Sequence, residues 1–157
     1  MTEARPWFEP RYACFKKRFR RLRESDHRFR KLLGIARDLG VRVHVAALPV
    51  GKLGFYRHQT REVWIDVDLA PSELLSTFAH EVAHAIYGHV DSVPEQEAEA
   101  DQWAALFLIE DDEWHAYLEA HGGCQVAFLA DCFGVDESVI QLRWEIHKQR
   151  IEVALCA

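Results

Sequence analysis

At 157 residues the chain is long enough for one domain with a real core, and its 49% hydrophobic and 28% charged residues are those of a globular protein. No apolar run reaches the roughly 18 residues of a membrane-spanning helix, and the N-terminus lacks the apolar stretch of a secretory signal. A net charge of −6 argues against direct binding of nucleic acid by the body of the chain.

The charge is unevenly spread. Residues 1–31 hold 11 Lys/Arg against 4 Asp/Glu, a net +7, which leaves −13 for the rest. Arg18, Arg20, Arg21, Arg23, Arg28 and Arg30 crowd one segment, and Phe15, Phe19, Leu22, Phe29, Leu32 and Leu33 recur along it at helical spacing. The pattern predicts a basic amphipathic helix over residues 1–33. Its basic side is read as a solvated face that pairs with the acidic body, the rival reading being an arm for nucleic acid or an acidic partner. Cys14, Cys124, Cys132 and Cys156 form no C-x-x-C pair and are read as reduced thiols of a cytoplasmic protein.

Val41-Arg42-Val43-His44-Val45 alternates and predicts a strand, followed by a loop at Pro49, Gly51 and Gly54. Gly54–Arg57 and Glu62–Val67 predict a hairpin around His58-Gln59-Thr60-Arg61. A small antiparallel sheet is therefore expected over residues 41–68, with His44 on a strand face and His58 at an exposed tip.

The densest chemistry lies in Phe78-Ala79-His80-Glu81-Val82-Ala83-His84. Pro71 suits the first position of a helix, with Ser72 and Glu73 in its first turn. Leu75, Phe78, Ala79, Val82 and Ile86 then form one stripe. His80 and His84 fall about 140° and 180° round the helix from Leu75, away from that stripe. Residues i and i+4 lie one above the other, so both imidazoles can hold one ion at about 2.0–2.1 Å. Glu81 is turned about 100° from His80 and can act as general base toward water beside the ion. This is the H-E-x-x-H arrangement.

A third ligand is sought downstream. His89 lies nine residues beyond His80, which is the opposite face if the helix continues, so it is not counted. The segment Glu95-Gln96-Glu97-Ala98-Glu99-Ala100-Asp101 reads as a helix packed on the first. Glu97 would complete a His₂Glu set, with Glu99 as the competing third ligand and Glu95 as a further rival better suited to a helix start. Asp101 shares a face with Glu97 and can accept a ligand histidine's second N–H.

Residues 111–157 predict further helices, broken at Gly122-Gly123. The unit from Val126 to Val139 has the form of a helix-turn-helix. Asp136 and Glu137 would open its second helix where phosphates should lie, so it is read as a packing unit.

The run from Phe78 to His89, then Glu97-Ala98-Glu99-Ala100-Asp101-Gln102-Trp103-Ala104-Ala105, resembles the ImmA/IrrE family of metallopeptidases. Leu129-Ala130-Asp131-Cys132-Phe133-Gly134-Val135 is similar to that family's usual tail. The resemblance implies a single α+β, zincin-like domain, a small antiparallel sheet on a helical bundle. It implies Zn²⁺ held by His80 and His84, with Glu81 as general base and Glu97 and Asp101 in the glutamate helix. It also implies a cytoplasmic endopeptidase whose protein substrate is a helix-turn-helix repressor. The rival class is a zinc-binding regulator that controls a repressor or toxin–antitoxin partner without proteolysis.

Overall fold

The computed structural model describes residues 10–123 and 125–156. The start of the predicted basic helix and Cys124 therefore lie outside the described residues. From Pro10 onward the basic segment is two helices rather than one, α1 (Pro10–Ser25) and α2 (His27–Asp38). The break is Asp26, whose backbone is extended and whose carboxylate accepts the Arg28 N–H at 2.8 Å, capping α2. Phe15, Phe29 and Leu32 are buried, and the Phe29 ring lies 5.5 Å from that of Phe78. Part of the basic face turns onto the chain itself. Arg11 pairs with Asp68, Arg18 donates to the Val67 and Asp68 carbonyls, and Arg28 donates to Leu108.

Three strands follow, β1 (Arg42–Ala46), β2 (Gly54–Arg57) and β3 (Glu62–Asp66), in the order β1-β3-β2. β2 and β3 form the expected antiparallel hairpin, but β1 runs parallel to β3, with Val43 beside Val63 and Val45 beside Ile65. The sheet is thus mixed, which corrects the wholly antiparallel expectation. The physical reason is burial. β3 carries Val63 and Ile65, both 0% exposed, and so takes the centre, while the loop after β1 carries β2 to the far edge.

The sheet and α2 pack on α3 (Pro71–Tyr87), the central helix. Pro71 opens it, and the Glu73 carboxylate reaches back to the Ala70 N–H at 2.7 Å. Leu75, Phe78, Ala79 and Val82 are fully buried on one side. The other side is covered by α4 (Pro94–Leu108), which approaches closely through the small residues Ala100, Ala104 and Ala105. Next come α5 (Asp111–His121), α6 (Val126–Phe133) and α7 (Glu137–Leu155). Gly134, in the left-handed region at φ 63°, ends α6 and lets α7 fold back on it and on α4. Val139, Ile140 and Ile146 of α7 are buried, so the α6–α7 pair packs into the body. The described residues hold seven helices and three strands, an α+β fold, and no helix among them is long and apolar enough to cross a membrane.

Candidate metal centre

α3 delivers His80 and His84 from successive turns of one face, and α4 lays its first turns across them. The Nε2 atoms of His80 and His84 are 2.9 Å apart. Glu97 Oε2 lies 3.2 Å from His80 Nε2 and 3.6 Å from His84 Nε2. Among the described residues, His80, His84 and Glu97 are the group whose donor atoms converge in this way. Two donors each about 2.0–2.1 Å from a tetrahedral ion stand about 3.3–3.4 Å apart. The observed spacings bracket that value. These groups can share a proton on an imidazole, and the same two imidazole nitrogens and carboxylate are a donor set that fits a metal such as zinc.

Each histidine is held from behind. Asp101 Oδ1 lies 2.7 Å from His80 Nδ1, one turn beyond Glu97 on α4. His84 Nδ1 faces His89 Nδ1 at 2.8 Å, and His89 Nε2 lies 3.0 Å from Glu99 Oε2. The competing ligand Glu99 is thus apart from the triad, on the far side of His89. Glu95 is exposed.

His89 stays outside the triad, but it lies beside His84 rather than on the opposite face. The helix does not continue to it, because Gly88 adopts φ 69° and ends α3. The chain turns back, the His89 N–H donates to the His84 carbonyl at 3.0 Å, and the ring tucks in beside His84 with only 8% exposure. Gly88 was the available signal, because a glycine one place past a helix marks a reversal. The remaining histidines stay clear of the centre. His44 stacks on Trp64 at 4.5 Å, and His58 is half-buried against Tyr56 rather than an exposed tip.

Glu81 sits beside the triad, 6% exposed. Burial pushes its carboxyl up to about 7, and Glu97 adds to this, while His80, the Tyr56 N–H and Lys52 act the other way. The two histidines split. Burial disfavours charge on His80, but the Asp101 hydrogen bond and the surrounding carboxylates outweigh it and raise its pKa. Burial and the neighbouring His80 push His84 down to about 4.

Gly54 at the start of β2 explains how the sheet comes so close. A Cβ there would stand 2.8 Å from Thr77 Cγ2, 3.0 Å from the Trp64 carbonyl oxygen and 3.3 Å from Glu81 Cγ. Two cavities, of about 560 and 350 Å³, meet over the triad and share Lys52, Gly54, His80, Glu81 and Glu97. The larger continues toward Asp136 and α7, the smaller toward Tyr56, His89 and Val90. The cleft thus extends to either side of the triad.

No curated protein matches the chain. Among solved structures, a Mycobacterium tuberculosis transcriptional regulator shares the fold, with a TM-score of 0.56 at 19% identity. The alignment covers 84% of this chain and 46% of that one, so this chain spans about half the length of that protein. The IrrE N-terminal-like domain matches residues 36–145, a stretch that contains β1 to β3, α3, α4 and every residue of the centre, and the chain belongs to that peptidase family.

Proposed function

We propose that this chain is a zinc-dependent endopeptidase in which His80, His84 and Glu97 hold the ion and Glu81 is the general base. The observation that carries the reading is the convergence of those three donors within 4.8 Å of one another, at the meeting point of two cavities and beside a buried glutamate. Zinc bound there would polarise the scissile carbonyl and ease deprotonation of the attacking water.

The chain's own residues supply the rest. Glu81, with its pKa near 7, is poised to take a proton at neutral pH. It accepts one proton of the water as the oxygen bonds to the carbonyl carbon. It then delivers that proton to the amine nitrogen as the C–N bond breaks. Asp101 holds the His80 ring in place throughout. The substrate is proposed to lie as an extended strand along β2. β3 is central and has no free edge, so it cannot take an added strand. β2 is at the edge and next to Glu81. Tyr56 stands opposite Val63 of β3, and its backbone N–H donates to Glu81.

A helix-turn-helix repressor as substrate, and a cytoplasmic setting, rest on the family resemblance; the absence of disulfides at Cys14, Cys132 and Cys156 is compatible with that setting. Zinc at 100 times its Kd should raise unfolding stability by about 2.7 kcal/mol over chelated protein. His80→Ala and Glu97→Ala should abolish that gain, whereas Glu81→Gln should keep it. Cleavage of a co-expressed repressor should fall by about 10²–10⁴ in Glu81→Gln. A repressor controlled equally well by Glu81→Gln would leave only the non-proteolytic regulator.

A further inference from the structure

We propose that His89 and Glu99 are positioning residues, a hydrogen-bond relay that fixes His84 in the tautomer whose Nε2 is free to bind the ion. The inference rests on the metal reading above for its purpose, but its structural content concerns protons alone.

The direction of the relay follows from what each group can do. The Glu99 carboxylate only accepts, so His89 Nε2, 3.0 Å away, donates to it. A His89 ring with its one proton on Nε2 keeps only a lone pair at Nδ1. His84 Nδ1, 2.8 Å away, must therefore be the donor between the two rings. That leaves His84 Nε2 bare, and it is this atom that faces His80 Nε2 and Glu97. Reversing the relay would put a proton on His84 Nε2 and block the site.

The surroundings hold His89 to this task. Gly88 turns the chain back at φ 69°, Tyr87 stacks on the His89 ring at 5.4 Å, and the His89 side chain is 7% exposed. α4 thus supplies three acids at alternate positions with three uses. Glu97 joins the triad, Asp101 orients His80 directly, and Glu99 orients His84 through His89. The charge on Glu99 sets the polarity of the relay. A neutral amide can donate as well as accept, so Glu99→Gln removes the bias while keeping the shape.

The test uses the full chain labelled with ¹⁵N-histidine, first in chelator. Two-bond ¹H–¹⁵N correlations should show His84 protonated at Nδ1 only and His89 at Nε2 only. Glu99→Gln should mix or reverse these tautomers with its melting temperature in chelator unchanged. Its zinc affinity, measured by competition with a chromophoric chelator, should fall about 10–100-fold. His89→Asn, whose amide oxygen can stand in for Nδ1 as acceptor, should retain most of the affinity that His89→Leu loses. A proton found on Nε2 of wild-type His84 overturns the relay. So does a folded Glu99→Gln chain with wild-type tautomers and zinc affinity. Failure of the wild-type chain to bind zinc would instead sink the metal reading, and the tautomers would still decide the relay.

Discussion

Glu81 carries the sharpest conflict between stability and chemistry in this molecule. Its folded-state pKa, about 7, lies above the ordinary 4.5, so the carboxyl costs nothing below about pH 4.5. The cost grows as pH rises and is complete above about 7. Glu81→Gln should therefore stabilise chelated protein at pH 8, by on the order of 2 kcal/mol, and have little effect at pH 4. Denaturant unfolding at the two pH values reads this directly, and equal effects at both would contradict the burial account. In the proposed mechanism the same substitution removes the general base, so a gain in stability should accompany a loss of hydrolysis. Gly54 makes a second prediction at this scale. Gly54→Ala forces a methyl against Thr77 and the Trp64 carbonyl, and should cost about 1–3 kcal/mol while shifting β2 away from Glu81. A thermal melt and a cleavage assay on the same sample should fall together.

At the scale of elements, the centre depends on how closely α4 lies on α3. Ala100, Ala104 and Ala105 are 0–4% exposed and form the contact, while Glu97 and Asp101 project from the same helix toward His80. Ala100→Leu should overpack this seam, cost about 1–3 kcal/mol, and weaken zinc binding although it touches no ligand. Unchanged zinc affinity in a destabilised Ala100→Leu chain would show that α4 position and ligand geometry are not linked.

For the whole molecule, Arg143 joins the C-terminal helices to the rest. It is 1% exposed, donates to the Ile109 carbonyl at 3.0 Å, pairs with Asp111, and lies 5.5 Å over the buried Trp114 ring. Arg143→Leu leaves the Ile109 carbonyl without that partner, while Asp111 keeps Arg150, and should cost about 1–3 kcal/mol. Burial disfavours the Asp111 carboxylate, but Arg143 and Arg150 outweigh this and hold its pKa below the usual value. Its contribution is therefore present above the ordinary carboxylate value and lost as pH falls from there through the lowered one. Arg143→Leu should then show a shallower loss of stability in acid than the native chain.

What was legible in the sequence is what periodicity encodes. The stripe Leu75-Phe78-Ala79-Val82 and the opposed pair His80 and His84 fixed α3 and two of the three converging donors, because a helix sets its own angular order without reference to anything else. That Glu97 and Asp101 share one face was legible for the same reason, as i and i+4 of one short helix. The parallel pairing of β1 with β3, the break at Asp26 and the place of His89 were not. Each depends on what lies across the chain: which strand the core covers, which carboxylate caps which turn, where a reversal at Gly88 points the next ring. Local spacing fixed the donors that a helix can present. Only folding in three dimensions decided which acid of α4 meets them and which one stands behind His89, because that choice is made by the close approach of two helices distant in sequence.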